Sequence, residues 1–299
     1  MITPFLNQIQ TFPTLPSIVA RIIRITSDPD STPDELTRLI ETDSSLAVEV
    51  LKWANFPLFG RRRNVSTIDD AVEVLGLTEI KNLALAKTMF QTFRSAKGFD
   101  AYSLWRHSYY CGSAAEVLAE LLPQPVDLAE YFAAGLIHDI GKMIIFLQLG
   151  EDNVKALDYH KPFNPNIIHK EKAILGIGHD KLGMQLLNSW LFPPRLIAAV
   201  GYHHSLDEVC DHHPFPFIIH LADILSYIYE AVSSGDTENG NALSGLLLSP
   251  HIRELALIEG IELNLVRIEL FLEKMKIKIS LQSEIIALLS GKEENRIDF

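Results

Sequence analysis

The sequence predicts an all-α protein. Apolar residues recur at helical spacing along nearly all of the 299 residues, and no run alternates apolar and polar as a half-buried strand would. Helix start and stop signals are also frequent. Thr32-Pro33-Asp34-Glu35 reads as a capping box with proline at the first helical position, and Leu36, Leu39 and Ile40 follow at helical spacing.

The elements follow in order. Ser66-Thr67-Ile68-Asp69-Asp70 opens a short helix carrying Ala71, Val72 and Leu75, which Gly76 stops. Thr78 caps another, whose apolar side holds Ile80, Leu83, Leu85, Phe90 and Phe93. These short helices describe an N-terminal helical bundle over 1–98. From Tyr102 the helices lengthen and histidines become frequent, giving a second helical domain over 99–232. The polar stretch Ser233–Asn241 reads as an exposed loop, and amphipathic helices with a charged face (Glu269, Glu273, Lys274, Lys276) complete 233–299.

Composition narrows the function. Lys and Arg number 26 against 38 Asp and Glu, a net charge of −12, so the overall field repels phosphate backbones and nucleic-acid binding is not expected. Two cysteines make neither a disulfide framework nor a thiolate zinc knuckle and suit a reducing compartment. The first residues lack a basic region followed by an apolar core, so the expected location is the cytoplasm. Tyr131–Leu149 and Pro214–Val232 are apolar enough to suggest a membrane. Each carries ionisable groups in its middle, so both read as buried helices and no membrane partner is expected.

Those buried ionisable groups are the informative feature. Asp139 lies among Leu136, Ile137, Ile140 and Ile144, where an ionised carboxylate is costly unless paired or metal-bound. On a helix Asp139 and Lys142 share a face, so a simple ion pair with His138 in the core is one reading. The other adds His107, His179, His203, His204 and Asp223 from separate apolar segments. Imidazole and carboxylate donors without thiolate suit iron or manganese, with zinc next. Seven candidate ligands exceed the needs of one tetrahedral ion. Two ions ~3.5–4 Å apart, bridged by Asp139, would use them, and such pairs hydrolyse phosphoesters.

The order His107…His138-Asp139…Asp223 resembles the ligand pattern of the HD superfamily of metal-dependent phosphohydrolases. The wider sequence resembles its HDOD branch of bacterial signalling domains. Leu15-Pro16, Ser27-Asp28-Pro29, Thr42-Asp43-Ser44-Ser45-Leu46, Trp53-Ala54-Asn55, Leu58-Phe59-Gly60 and Ile68-Asp69-Asp70-Ala71-Val72 carry the first part of that likeness. Trp105-Arg106-His107-Ser108, Gly135 to Lys142, Gly178-His179, Tyr202-His203-His204 and His220-Leu221-Ala222-Asp223 carry the rest.

The resemblance implies an HD-type helical domain, a regulatory role in signal transduction through a protein partner, and metal ligation by His107, His138, Asp139 and Asp223. It implies a second metal at His179, His203 and His204, with Asp139 and Lys142 as catalytic residues if the site is active. The ligand set is similar to that of the related HD-GYP phosphodiesterases, which suggests a nucleotide or cyclic dinucleotide ligand. Two departures stand against that parallel: Ser205-Leu206-Asp207-Glu208-Val209 replaces the Gly-Tyr-Pro segment, and Ser103 occupies a position where some binuclear members carry a glutamate ligand. A metal-dependent phosphodiesterase and a metal-free interaction scaffold are the alternatives.

Weaker signals read as follows. Arg61-Arg62-Arg63 is a solvated loop or an anion-attracting triplet, and Phe56, Leu58 and Phe59 plug a gap or dock a partner. His160, His169, His212 and His213 are surface residues, His220 supports a ligand or packs in the core, and Glu171 orients a ligand or, as the favoured reading, caps and solubilises its helix.

Overall fold

The computed structural model describes residues 16–28, 30–55, 65–94, 101–148, 157, 167–206 and 214–290. Among them every regular element is helical. The described residues of Thr92–Ile277 form one compact unit, and those of Thr14–Gln91 and Lys278–Phe299 the other.

In the smaller unit, α1 (Ser17–Ser27), α2 (Pro33–Glu41), α3 (Ser44–Ala54) and most of α4 (Ile68–Arg94) bury Ile22, Leu36, Leu39, Ile40, Val50, Trp53, Ala71 and Ile80. Pro33 opens α2, but the Thr32 hydroxyl makes no capping hydrogen bond; the proline's fixed φ and the Glu35 N–H to Thr32 carbonyl bond start the helix instead. Thr67 does cap α4, accepting from the Asp70 N–H at 3.1 Å. Within α4, Gly76 leaves the helical conformation at φ 77°, a region that favours glycine.

Asn55 is tied to Val65 through its side chain. Its amide donates to the Val65 carbonyl and accepts the Val65 N–H, both at 2.7 Å. Asn55→Ala strands two backbone groups of a buried residue and should cost about 1–2 kcal/mol in denaturant unfolding. An unchanged midpoint would show that water replaces both bonds without loss. The aromatic and arginine residues of 56–63 read from sequence lie outside the described residues, as do His160, His212 and His213.

The larger unit comprises α5 (Ala101–Ala119), α6 (Leu128–Ile137), α7 (Ile140–Gln148), α8 (Ile167–Leu175), α9 (His179–Ser189), α10 (Pro194–Tyr202), α11 (Pro214–Ser234), α12 (Thr237–Leu247), α13 (Pro250–Ile258) and the first half of α14 (Leu265–Ser290). Helix α11 packs against α5, α6, α10 and α12, while α9 packs against α7, α8 and α10. α11 is the one helix among the described residues long and apolar enough to cross a membrane, and 72% of that apolar stretch is buried inside the fold.

The described residues of 233–277 belong to the same compact unit as the histidine-bearing helices. One expectation needs correction. The loop expected over Ser233–Asn241 is confined to Gly235 and Asp236, because Asp236 is an N-cap: its carboxylate accepts the Asn239 N–H at 3.2 Å and starts α12. The polar residues there face outward, whereas Gly240, Leu243 and Leu247 are buried.

Candidate metal centre

The continuous helix expected through Tyr131–Leu149 is broken. α6 ends at Ile137 and α7 begins at Ile140, so His138 and Asp139 form a turn between two buried helices. Both stay buried there, at 0% and 1% exposure. Close packing sets their place. A Cβ on Gly135 would stand 2.7 Å from the Cys111 carbonyl oxygen, so glycine lets α6 approach α5, which carries His107. A Cβ on Gly141 would stand 1.8 Å from the His179 carbonyl oxygen, so α7 and the start of α9 also meet at backbone contact.

All seven sequence-predicted ligands and Lys142 gather here. Donor atoms of His107, His138 and Asp139 lie within 4.8 Å of one another, as do those of His179, His203 and His204. Asp223 joins the first group, with Oδ1 3.1 Å from His107 Nε2 and 3.6 Å from His138 Nε2. The Asp139 carboxylate lies between the groups. Oδ2 is 3.6 Å from His107 Nε2 and 3.4 Å from His138 Nε2, while Oδ1 is 3.0 Å from His179 Nε2. Lys142 Nζ is buried and donates to Asp139 Oδ2 at 2.5 Å.

The acceptors behind the rings fix the tautomers. His138 Nδ1 is 2.7 Å from the Gly135 carbonyl and His203 Nδ1 is 2.8 Å from that of Val200. Carbonyls only accept, so both Nδ1 atoms carry the proton. The Ser226 hydroxyl donates to the Asp223 carbonyl at 2.7 Å and therefore accepts from His107 Nδ1 at 3.1 Å. His179 Nδ1 donates to the Glu171 carboxylate at 2.8 and 2.9 Å. Each Nε2 is thereby turned inward. Tyr227 stacks on His107 with ring centres 4.2 Å apart, and His220 Nδ1 reaches the His203 carbonyl at 2.8 Å.

Several of these groups were missed or underrated in the sequence. Glu171, read as a solubilising cap, is fully buried, and Oε2 also accepts the His179 backbone N–H at 2.7 Å. Ser226 and Tyr227 carried a signal, since they lie three and four residues beyond Asp223 on the same helix. His169 is exposed, as its sequence context suggested.

The donors fit a metal pair. Nε2 atoms of His107 and His138 face each other at 3.3 Å, close to the ~3.3 Å separating two imidazole nitrogens on one tetrahedral ion at ~2.0–2.1 Å. His203 Nε2 is buried without a hydrogen-bond partner, and Asp139 Oδ1 and His179 Nε2 face each other in the interior at 3.0 Å. Titration follows the same logic. Burial alone would raise the Asp139 carboxyl, but His138, Lys142 and His179 hold it well below the carboxylate range. Burial would lower His179, yet Glu171 and Asp139 lift it to about 9. Burial, then the charges on His138 and His179, pushes His203 well below the imidazole range.

A helical fold with buried histidines and aspartates arranged in two groups around one carboxylate has the makeup of an HD-type domain. The sequence pattern of the HDOD domain matches residues 12–206, and the chain belongs to the HDOD family. A curated protein of Treponema pallidum (strain Nichols) is 26% identical over 202 residues, covering 67% of this chain and 39% of the Treponema protein; the chain thus spans well under half of that relative. Among solved structures, a candidate phosphohydrolase from Shewanella amazonensis SB2B superposes with a TM-score of 0.71 at 21% identity, over 96% of this chain and 98% of its own. A candidate metal-dependent phosphohydrolase from the same organism gives 0.60 at 23% identity, over 93% and 95%. At such identities the structural likeness is one of fold.

Proposed function

We propose that this chain holds a pair of transition-metal ions, iron or manganese before zinc, and acts as a regulatory protein of bacterial signal transduction in the cytoplasm through a protein partner. The carrying observation is Asp139, whose two carboxylate oxygens face separate histidine groups. His107, His138, Asp223 and Asp139 Oδ2 would hold one ion; His179, His203, His204 and Asp139 Oδ1 would hold the other. Among these ligands only His204 is more than slightly exposed, which favours retention of ions over passage of a bulky substrate.

Elemental analysis of protein purified without oxygen, chelator or a histidine tag should find close to two transition-metal ions per chain. Absence of metal, even after reconstitution with iron or manganese, would leave the cluster as a hydrogen-bonded core and overturn the proposal.

Phosphoester hydrolysis is the second reading, favoured by the buried Lys142 ammonium beside the shared carboxylate. A bound pair supplies Lewis acidity toward phosphoryl oxygens and lowers the pKa of water. Lys142 keeps its proton at Nζ, steadies Asp139, and places positive charge where a nucleotide or cyclic dinucleotide phosphate would need it. The Gly-Tyr-Pro segment of the HD-GYP enzymes is missing, which supports the regulatory reading as the first.

A further inference from the structure

The four imidazoles that turn Nε2 inward are held by acceptors of two kinds. His107, His138 and His203 give their Nδ1 protons to neutral oxygens: the Ser226 hydroxyl and the carbonyls of Gly135 and Val200. His179 gives its proton to an ionised carboxylate. Glu171 is 0% exposed, both of its oxygens lie on the His179 ring nitrogen, and one of them also takes the His179 backbone N–H. Helix capping does not require that arrangement. A cap satisfies backbone donors and leaves its charge in water, whereas this carboxylate meets both the ring and the amide of His179 at the cost of full burial, and its field also reaches Lys142.

We infer that Glu171 is the positioning residue for the half of the site formed by His179, His203 and His204. It holds the His179 ring at Nδ1 and the His179 backbone at its amide, and its charge makes that imidazole a stronger donor than a carbonyl-held one. In the remaining half, formed by His107, His138 and Asp223, the ring partners among the described residues are neutral, the Ser226 hydroxyl and the Gly135 carbonyl. The two halves should therefore respond separately to substitutions behind their ligands, although Asp139 is common to both. This inference rests on the reading of the cluster as a metal pair and assigns what sets the affinity of one member.

The test uses Co²⁺ as the probe, titrated into the metal-free full chain and followed by visible absorption against a competing chelator. Wild type should show two binding events. E171Q should keep one at the wild-type affinity and weaken the other about 10–100-fold. E171D, which restores the charge on a shorter arm, should recover part of that loss, and this rescue separates positioning by charge from general packing. S226A should perturb the event that E171Q leaves alone. Two events of wild-type affinity in E171Q would overturn the inference while leaving the metal pair intact. Loss of both events together, with unchanged far-UV circular dichroism, would also overturn it, since Glu171 would then support the whole cluster. No Co²⁺ uptake by wild type would overturn the metal pair itself, and this inference with it. If E171Q fails to fold, E171D carries the comparison: wild-type affinity in both events, or equal weakening of both, overturns the inference.

Discussion

Asp139→Ala should empty both halves of the metal site and lower the stability of the metal-free protein. The shared carboxylate is the one group whose oxygens face both histidine groups, at 3.4 and 3.6 Å on one side and 3.0 Å on the other. Its loss takes a ligand from each ion at once, whereas substituting His203 or Asp223 removes a donor from one. Lys142 then stays buried without the Asp139 carboxylate, while the fields of Asp223 and Glu171 remain. Removing one partner of a buried pair costs about 3–5 kcal/mol, and the remaining carboxylates argue for the lower end. Elemental analysis reads the first effect, and denaturant melts of stripped wild type and variant read the second. A variant that keeps one ion per chain would show that the halves fill independently of the shared carboxylate.

Gly141→Ala is the second large effect, and helix propensity alone gives it the wrong sign. Alanine within a helix is favoured over glycine by about 1 kcal/mol. Here the added methyl would meet the His179 carbonyl oxygen at 1.8 Å and the Gly183 nitrogen at 2.7 Å, both of them backbone atoms. No rotamer change relieves such a contact, so α7 and α9 must separate, at a cost of about 3 kcal/mol or more. Their separation also carries His179 away from Asp139, so metal content should fall along with the urea midpoint. A variant as stable as wild type would mean that the two helices part without loss.

The residue types of the site were legible because ionisable groups inside apolar segments leave few physical choices. His107, His138, Asp139, His179, His203, His204 and Asp223 come together in the structure. Local geometry was less legible. Helical spacing placed His138, Asp139 and Lys142 on one helix face, but the structure breaks the helix at the histidine and aspartate. Packing of Gly135 and Gly141 against neighbouring backbones depends on contacts remote in sequence. Glu171 was underrated because Gly176, at φ 77°, reverses the chain between it and His179, so that a separation of eight residues becomes a hydrogen bond. Asp236 reads equally well as a loop residue or a helix cap, and only the burial of Leu243 and Leu247 decides between them.

The burial of the ligands bears on time as well as on affinity. His138, His179 and His203 are 0% exposed, and the donors span the chain from α5 to α11, so the cluster is complete only after these helices have docked. An ion held by His107, His138 and Asp223 would have no exposed donor to release first, unlike one in the half that includes His204. The former must wait for a local opening of the helix packing, and its exchange rate is then set by that opening rather than by ligand chemistry. Such a protein would retain that ion through brief changes in the surrounding metal concentration. It would answer only to conditions that persist longer than its own slowest breathing motion.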